Sequence, residues 1–591
     1  MKSRWLVRNV KADFKKVAAR YNISEVVARI LFNRGIYKDS MIKSFLNPTY
    51  KNLNNPDSII DIKKGVSIIE EKIKTGKKIR IVGDYDVDGV MSVYILYTAL
   101  KKCRAKDVDY EIPDRIKDGY GINKNIIDDA LRDDVDTILT CDNGISATEE
   151  IKYAKDNKMT VIVTDHHDIP FSLDEDGEKI YTVPKADAII NPKIKESRYP
   201  FRALCGASVA FKFVQLLFEK FNIDKKEILN YIEFLSIATV CDVMELILEN
   251  RIFVKNGLSK ISDTKNVGLR CLMAECDILD KKINTYHIGF VLGPCINASG
   301  RLESAKIALD LFLEKDLKKA QNIAKELVSL NKERKDMTSS GVDKAVKIIE
   351  ENNMDKDKVL VVYVDNIHES LAGIIAGRIK EKYNLPTIIL TDGKDKVKGS
   401  ARSIDEYNMF EELSKCKELL SSFGGHKMAA GLSLDKENID KLREELNKNT
   451  SLTDKDVVKK IVIDENLPLE NINYKLINEI KSLEPFGMGN SKPLFGVKGV
   501  NVINMHVFGK DKNVIKLKIK MKNGLYIDAI HFGDVKDFEK VIEESFGKEE
   551  LNKLYNGFIN DVYLDLVYYP TINEYNGNSS VQIIIDDYRG N

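Results

Sequence analysis

The sequence predicts an α/β protein with two α/β lobes, a long helical connector between them and an all-β unit at its C-terminal end. The length of 591 residues exceeds one ordinary domain, since domains usually span about 100–200 residues. Short apolar runs separated by helical patterns recur over residues 77–192 and 358–450, which indicates βαβ units. From residue 456 to 591 alternating β-branched residues and turns are typical of an all-β domain.

Composition places the chain among soluble globular proteins, with 43% hydrophobic and 31% charged residues. The formal net charge is +1, so an anionic partner would have to meet local patches or metal ions. No uncharged stretch approaches the ~18 residues of a membrane span, and the N-terminus lacks the apolar region of a signal peptide. The 8 cysteines show no CxxC or zinc-ribbon spacing, which predicts reduced thiols in a cytoplasmic protein.

The elements follow in order along the chain. Residues 1 to about 70 carry the apolar spacing of short helices. The strands of the first lobe are predicted at 79–82, 136–140, 160–164 and 187–190. Helical patterns fill 203–250 and 256–354, and the stretch from Glu303 to Asn353, rich in Lys, Glu, Ala and Leu, predicts one long helix or two between the lobes.

The second lobe begins at KVLVVYVD (358–365) and contains GSARS (399–403) and FGGHKMAAG (423–431). In the all-β unit, IKLKIKMK (515–522) alternates strictly, so its lysines share one face of a strand. These are Lys516, Lys518, Lys520 and Lys522. The face fits either an electrostatic groove for a nucleic-acid strand or a charged edge strand that prevents aggregation.

Acidic and imidazole side chains follow three consecutive strands of the first lobe. They are Asp84, Asp86 and Asp88 in GDYDVDG, Asp142 in TCDNG, and Asp165, His166 and His167 in TDHHD. Because ligands bind beyond the carboxyl ends of parallel strands, we expect these groups at one edge of the sheet. Crowded carboxylates disfavour the charged state unless a cation neutralises them. Asp242, after an apolar helical run, could close the site from the other side.

The groups suit Mn²⁺ or Mg²⁺, which bind carboxylate oxygens, and Mn²⁺ also accepts imidazole. Two such ions about 3.5–4 Å apart can activate a water and clamp both oxygens of a phosphodiester displacement. Taken singly, DxDxDG is more often a turn or a calcium-type loop, and a His-His pair is more often a surface or core feature. An EF-hand is disfavoured because the twelfth position counted from Asp84 is Ile95 rather than glutamate. The coincidence of all three motifs favours metal catalysis.

The motifs DYDVDG, CDNG, DHH and CDVMEL, in this order, resemble those of the DHH phosphoesterase superfamily. GSARS and FGGHKMAAG resemble its DHH-associated domain. Further stretches resemble the RecJ single-strand-specific DNA exonucleases over roughly residues 30–590; they are PDRIKDGYG (113–121), GPCINASGRL (293–302), HESLAGIIAGRI (368–379) and LEPFGMGN (483–490).

This resemblance implies five segments. They are an N-terminal helical segment (1–70), a DHH domain with a parallel sheet (71–300), a connecting helix (301–354), a DHH-associated domain (355–452) and an OB-fold nucleic-acid-binding domain (453–591). It also implies a 5′-to-3′ exonuclease that releases 5′-mononucleotides from single-stranded DNA with two Mn²⁺ or Mg²⁺ ions, in DNA repair and recombination. A RecQ-type helicase and a single-strand-binding protein are the partners to consider, and no membrane is involved.

The resemblance assigns roles by position. The metal ligands would be Asp86, Asp88, Asp142, His166 and Asp242, with Asp84 in the same motif. His167 would contact the scissile phosphate or the attacking water, and Asp165 would orient its neighbour.

Substrate-binding candidates come from both lobes. Arg115, Ser400 and Arg402 are implied in recognition of the 5′ end; the further candidates are Arg301, His368, Arg378, Gly424, Gly425 and His426. Without the resemblance, GGH fits a tight turn, GSARS a solvated strand and His368 a helix cap equally well. In the OB-fold, Lys516, Lys518 and Lys520 would line a single-strand groove, whereas most of Phe495, Phe508 and Phe532 are expected in the core.

Three features depart from the family pattern. Val82 stands where some superfamily members carry histidine, and Cys295 where related sequences carry arginine. The insertion at 171–185 is interpreted as a surface loop. Two other functions fit parts of the pattern: a phosphodiesterase for short oligoribonucleotides or cyclic dinucleotides, and a non-catalytic single-strand-binding scaffold. The additional N- and C-terminal units argue against the first, and the intact acidic motifs against the second.

Overall fold

The computed structural model describes residues 3–174, 178–509, 512–575 and 577–591. The chain forms two compact units, each with its own hydrophobic core. We call residues 50–458 the central unit, and the residues up to 49 together with residues 459–591 the terminal unit.

The N-terminal part of the terminal unit is not purely helical. It consists of β1 (Arg4–Val7), α1 (Phe14–Tyr21), α2 (Glu25–Asn33) and α3 (Asp39–Leu46). The sequence pattern predicted only helices here, but β1 pairs in parallel with Lys460–Ile463 near the other end of the chain. A strand whose partner is so distant leaves no local alternation signal, since Arg4–Val7 has only four residues.

The first lobe of the central unit is a five-stranded parallel sheet with helices on both faces. Its elements are α4 (Ile62–Lys74), β2 (Ile79–Val82), α5 (Val87–Lys102), β3 (Val108–Glu111), α6 (Lys124–Arg132), β4 (Thr137–Cys141), α7 (Thr148–Asp156), β5 (Thr160–Thr164) and, after a hairpin, β8 (Ala188–Ile190). The strand order is β3-β2-β4-β5-β8. Every residue of β2 and β4 is buried, as expected for a sheet covered on both faces.

The insertion at 171–185 is not a simple loop. It forms a hairpin of β6 (Phe171–Leu173) and β7 (Lys179–Tyr181), which pair with each other and not with the main sheet. The rings of Phe171 and Tyr181 are exposed and pack against each other, with centroids 6.0 Å apart. This cross-strand ring pair explains why an exposed insertion forms strands. Residues 175–177 lie outside the described residues.

Helices complete the first lobe and connect it to the second. They are α8 (Gly206–Lys220), α9 (Ile232–Cys241), α10 (Leu248–Ser262), α11 (Val267–Glu275), α12 (Gly293–Leu302), α13 (Lys306–Leu313) and α14 (Leu317–Glu351), with a π-helical turn at His287–Leu292. The predicted connector therefore consists of two helices. Ala320 and Leu327 in the first half of α14 belong to the core of the first lobe, whereas Ala345 and Ile349 pack against the second lobe.

The second lobe is a mixed five-stranded sheet. It contains β9 (Leu360–Tyr363), α15 (Ala372–Tyr383), β10 (Thr387–Asp392), β11 (Val397–Arg402), α16 (Met409–Lys415), β12 (Ser422–His426), β13 (Ala429–Leu434) and α17 (Ile439–Asn449). The order is β12-β13-β11-β10-β9, so β12 is an edge strand. Only β9 and β10 run parallel within this sheet.

The C-terminal part of the terminal unit is a barrel with helices around it. Its elements are β14 (Lys460–Ile463), β15 (Glu465–Asn466), α18 (Tyr474–Ser482), β16 (Phe495–Phe508), β17 (Val514–Lys520), β18 (Tyr526–Phe532), α19 (Val535–Phe546), α20 (Lys548–Asn556), β19 (Tyr563–Tyr575) and β20 (Asn578–Gly590). The strand order β16-β17-β18-β20-β19 closes because β19 also pairs with β16. A closed five-stranded barrel is the OB-fold architecture. The three helices were not predicted from the sequence. Phe538 of α19 and Leu554 of α20 belong to the barrel core.

Within the described ranges, no helix combines the length and the apolar character needed to cross a membrane.

Candidate metal centre and substrate site

The turn GDYDVDG is shaped by close backbone packing between β2 and α5. Asp86 caps α5, and its Oδ1 accepts a hydrogen bond of 3.0 Å from the Gly89 amide. A Cβ on Gly89 would lie 2.3 Å from the carbonyl oxygen of Asp84, so only glycine permits this approach. The turn therefore directs Asp84, Asp86 and Asp88 toward the edge of the sheet.

Asp88 is fixed by the start of a second helix. Its two carboxylate oxygens accept hydrogen bonds from the Gly206 amide at 2.5 Å and the Ala207 amide at 2.8 Å, at the first residues of α8. The N-terminal end of a helix stabilises negative charge. A Cβ on Gly206 would lie 2.6 Å from the Asp142 Cβ, so α8 begins directly against both carboxylates.

The remaining predicted ligands converge at the same edge. Asp142 and Asp165 directly follow β4 and β5, which are paired in register from Thr137–Thr160 to Cys141–Thr164. Asp242 follows α9. Three overlapping sets have ligand atoms within 4.8 Å of one another: Asp84, Asp86 and Asp142; Asp88, His166 and Asp242; and Asp142, Asp165, His166 and His167. Every metal ligand predicted from the sequence thus lies in one cluster.

His166 lies at the centre of this cluster. Its Nε2 is 3.0 Å from Asp142 Oδ1, 3.6 Å from Asp88 Oδ2 and 3.7 Å from Asp242 Oδ2. Burial and then the charge of His167 lower the pKa of His166 to about 4. The imidazole is therefore neutral near pH 7 and has the lone pair that a metal ligand needs.

The crowded carboxyl groups have the raised pKa values expected of a cation site without its cation. Burial, and then the charges of neighbouring aspartates, raise the pKa values of Asp84, Asp142 and Asp242 well above the ordinary range. Several polar atoms of the cluster are buried and form no hydrogen bond with the described residues: Asp84 Oδ1, Asp142 Oδ1, Asp242 Oδ2 and both ring nitrogens of His166. His166 Nε2 and Asp142 Oδ1 are 3.0 Å apart, but their geometry is not that of a hydrogen bond. Buried polar atoms are normally paired. Oxygen and imidazole donors of this kind fit Mn²⁺ or Mg²⁺.

Asp165 orients His167 rather than His166 through its side chain. Asp165 Oδ1 lies 2.8 Å from His167 Nδ1, and its Oδ2 accepts from the Ile145 amide at 2.9 Å. Burial opposes ionisation of Asp165, but the bond to His167 prevails and lowers its pKa to about 2. Burial also opposes protonation of His167, yet the bond to Asp165 raises the pKa of His167. The pair therefore favours an imidazolium held by a carboxylate.

Two residues that the sequence analysis missed support this edge. The Tyr120 hydroxyl donates to the Asp142 carbonyl oxygen at 2.9 Å and lies 3.1 Å from His167 Nδ1. The Asn143 amide donates to the carbonyl oxygens of Val82 and Cys141 and accepts from the Ile122 amide. Both lie in stretches that resemble the family, PDRIKDGYG and CDNG, but no spacing rule singles them out.

Arg115 lies near enough to the acidic cluster for its charge to act on Asp84, and Arg402 of the second lobe lies near Arg115. The Arg115 guanidinium stacks 4.1 Å from the Tyr85 ring centroid, and its Nε is buried without a hydrogen-bond partner among the described residues. Ser400 and Arg402 share one face of β11, since Arg402 Nη1 lies 3.3 Å from Ser400 Oγ. A Cβ on Gly373 would lie 2.8 Å from both side chains, so the start of α15 leaves space for them.

Two other predicted substrate residues, His368 and Arg378, differ in their surroundings. His368 Nδ1 bonds Ser370 Oγ at 2.7 Å, and the Ser370 carbonyl accepts from Arg301 Nη1 at 2.8 Å, which places His368 behind Arg301. Arg378 is exposed on α15. After burial, its positive charge contributes to lowering the pKa of Arg334.

The GGH stretch forms the end of the edge strand β12 rather than a tight turn. Gly424, Gly425 and His426 are exposed and pair with β13. A hydrogen bond from Lys193, with smaller effects of His426 and His167, lowers the pKa of Asp168. His426 therefore lies near the DHH motif of the first lobe.

The two residues that depart from the family pattern, Val82 and Cys295, are both buried. The Val82 side chain belongs to the core between the sheet and α6 and α7. Cys295 lies in α12, where its Sγ accepts from the Asn331 amide at 3.2 Å.

In the terminal unit, the lysine face of β17 is only partly available. Lys516 forms an ion pair of 2.7 Å with Asp528. Lys518 and Lys520 line a cavity of about 610 Å³ together with Tyr526, His506 and Phe558. Phe495 is in the core, but Phe508 and Phe532 are exposed, so the prediction that most of these rings are buried is wrong.

Three family models match the chain and define its class. The DHH family N-terminal domain matches residues 78–239, the DHHA1 domain residues 356–451, and the RecJ OB domain residues 463–587. The predicted fold class, two α/β lobes followed by an OB domain, is confirmed.

Relatives narrow the class to one family. The single-stranded-DNA-specific exonuclease RecJ of Bacillus subtilis (strain 168) is 32% identical over 591 residues, covering 99% of this chain and 71% of the relative. RecJ of Escherichia coli (strain K12) is 29% identical over 89% of this chain and 90% of the relative. The crystal structure of RecJ with Mn²⁺ from Thermus thermophilus superposes with a TM-score of 0.81 at 25% identity, covering 99% of this chain and 79% of that one. The chain belongs to the RecJ family.

Proposed function

We propose that the protein is a metal-dependent exonuclease specific for single-stranded DNA, which hydrolyses phosphodiester bonds from the 5′ end and releases 5′-mononucleotides. One observation carries the proposal. Buried carboxylate oxygens and imidazole nitrogens that form no hydrogen bond with the described residues lie in the same unit as positively charged arginines such as Arg115. A phosphodiester needs both, because cations must neutralise its oxygens and arginines can hold a phosphate. Relatives named as single-stranded-DNA-specific exonucleases support the choice of polymer.

Asp86, Asp88, Asp142, His166 and Asp242 would hold two Mn²⁺ or Mg²⁺ ions, with Asp84 beside them. When bound, such ions lower the pKa of a water and neutralise charge on a phosphodiester. The neutral His166 and the unpaired oxygens of Asp84, Asp142 and Asp242 fit these ions without a change of protonation at the imidazole.

His167 and Asp165 would act on the phosphate. Asp165 holds His167 through Nδ1, which leaves Nε2 to donate to a phosphate oxygen or to orient the attacking water. Because Asp165 raises the pKa of His167, a cationic donor is favoured. Asp165 is a positioning residue in this scheme, since it reaches the substrate only through its neighbour.

Arg115, Ser400 and Arg402 would bind the phosphate at the 5′ end. Because Arg115 belongs to the first lobe and Ser400 and Arg402 to the second, the terminal phosphate would be bound from two sides. In this scheme the first internal phosphodiester would lie at the acidic cluster. This arrangement supports cleavage from the 5′ end.

In the terminal unit, Lys518 and Lys520 would contact the backbone of the strand and Tyr526 would stack on a base. A role in DNA repair and recombination, with a RecQ-type helicase and a single-strand-binding protein as cooperating partners, belongs to the same proposal and follows from the family relation.

Digestion of single-stranded DNA labelled at either end, with Mn²⁺ present, tests the proposal. We expect early release of labelled mononucleotide only from 5′-labelled strands, and little release from matched duplex or RNA. Early release from the 3′ end would contradict the direction, and absence of cleavage would favour a scaffold that binds without hydrolysis.

A further inference from the structure

A cavity of about 150 Å³ lies next to the acidic cluster of the central unit. Its lining includes Cys241, Gly293, Asn297, Arg301, Arg334 and Ile374. Cys241 directly precedes Asp242, so the cavity adjoins the candidate metal centre. Arg334 comes from α14, a helix to which no functional residue was assigned from the sequence.

The Arg334 side chain is held in place by neutral partners. Its Nε and Nη2 donate to Asn331 Oδ1 at 3.2 and 2.9 Å, and the Asn331 amide donates in turn to Cys295 Sγ at 3.2 Å. This chain of bonds fixes the direction of the guanidinium and contains no carboxylate. A long side chain that is already ordered loses less entropy when a ligand binds.

Positive charge accumulates around the cavity; Asp86 offsets part of it at Arg301, but Arg301, Arg334 and Arg402 form no direct ion pair with a described carboxylate. In the described part of the chain, the hydrogen bonds of Arg301, Arg334 and Arg402 go to carbonyl, amide and hydroxyl oxygens. Burial, and then the charges of Arg115 and Arg334, lower the pKa of Arg301 to about 9, at which value it is still charged at neutral pH. These arginines are partly buried, and charges removed from part of their water without a direct partner favour a bound anion.

We propose that Arg334, with Arg301 and Asn297, forms a phosphate-binding site for the substrate strand in addition to the group formed by Arg115, Ser400 and Arg402. The proposal rests on the proposed function and adds the connector helix to the substrate site. The planar guanidinium fork matches phosphate oxygens, and the cavity has space for a phosphate group with some water. The phosphate is either the one at the 5′ end or a neighbouring internal phosphodiester.

Binding of a single-stranded oligonucleotide in EDTA tests this site without hydrolysis. Fluorescence anisotropy of a 3′-labelled strand over a salt series would compare wild type with Arg334→Gln, Arg334→Lys and Lys332→Gln. Lys332 is an exposed lysine on the same helix and provides the matched loss of charge. On single strands the slope of log K against log salt falls by about 0.7 for each lost phosphate contact. We expect that loss, with at least about tenfold weaker binding, for Arg334→Gln.

Two forms of the strand distinguish the source of the phosphate. Weaker binding only of the 5′-phosphorylated strand would assign the terminal phosphate; equal weakening with a 5′-hydroxyl strand would assign an internal phosphodiester. A slope and an affinity for Arg334→Gln equal to those of Lys332→Gln would overturn the proposal. If Arg334→Gln unfolds at a lower temperature than wild type, Arg334→Lys decides, because it keeps the charge and should retain most of the slope. The digestion assay in Mn²⁺ tests the exonuclease function separately.

Discussion

The acidic cluster and the arginine cluster of the central unit each hold like charges close together, but they can relieve the repulsion in different ways. The arginine cluster consists of the partly buried Arg115, Arg301, Arg334 and Arg402. Carboxylates can bind protons, and burial together with mutual repulsion raises the pKa values of Asp84, Asp142 and Asp242 accordingly. Guanidinium groups remain charged at neutral pH, even where burial lowers the pKa as in Arg301. The acidic cluster can therefore exist without its cation, in competition with protons, whereas the arginine cluster depends on an anion or on water.

The two clusters also differ in how the chain builds them. The acidic groups, except Asp242 at the end of α9, follow neighbouring strands of one sheet, and close approaches at Gly89 and Gly206 fix their backbone. Arg115 comes from a loop of the first lobe and Arg301 from α12. Arg334 comes from the connector helix α14 and Arg402 from β11 of the second lobe. The position of most candidate metal ligands thus depends on one sheet. The position of the candidate phosphate-binding arginines depends on how the two lobes and the connector are joined.

The largest effect is expected from breaking the acidic cluster. Asp142→Asn or His166→Ala should reduce mononucleotide release by at least about 10³-fold, because each removes a ligand from a cluster that shares its cations. Release is measured with end-labelled single strands in Mn²⁺. Asp156→Asn, which changes an exposed carboxylate of the same lobe, should keep full activity.

Circular dichroism and the unfolding temperature should show that both variants remain folded. Substantial activity in either of them would remove that residue from the proposed ligand set.

A smaller effect is expected from the arginine cluster. Arg402→Gln should raise KM for a 5′-phosphorylated strand by about 10–100-fold, since a charge-assisted hydrogen bond contributes about 1.5–3 kcal/mol. The same variant should change KM little for a 5′-hydroxyl strand, and kcat should be preserved. Lys441→Gln, an exposed charge in the same lobe, is the control. Equal losses on both strands would show that Arg402 does not recognise the terminal phosphate.

The contrast between the clusters explains what the sequence could predict. Asp84, Asp142 and His166 were identifiable because parallel strands end at the same level, so a motif after each strand implies convergence in space. Arg334 could not be identified, since a charged residue in a Lys- and Glu-rich helix usually faces solvent. The pairing of Arg4–Val7 with Lys460–Ile463 was missed for a related reason: the partner of the strand lies far away in the chain.

The smallest effect is expected from pH, which should change the stability of the metal-free protein gradually. A carboxyl group whose pKa is raised by folding binds its proton more tightly in the folded state, so the metal-free protein should lose stability as pH rises from about 4 through the raised values. A divalent cation replaces those protons and should cancel the loss. His166 does not compete in this range, because its pKa of about 4 leaves it neutral. His167 does, because its raised pKa keeps a positive charge beside the cations.

Calorimetric titration with Mg²⁺ at several pH values between 5.5 and 8 measures this competition. Apparent affinity should rise by about tenfold per pH unit for each proton displaced. In Asp142→Asn the slope should decrease, since one titrating carboxyl is absent, whereas His167→Gln should keep most of it if the carboxylates carry the effect. A flat profile in the wild type would mean that the acidic cluster is already ionised without a cation, and that water rather than protons relieves its repulsion. The acidic and arginine clusters would then respond to charge in the same way.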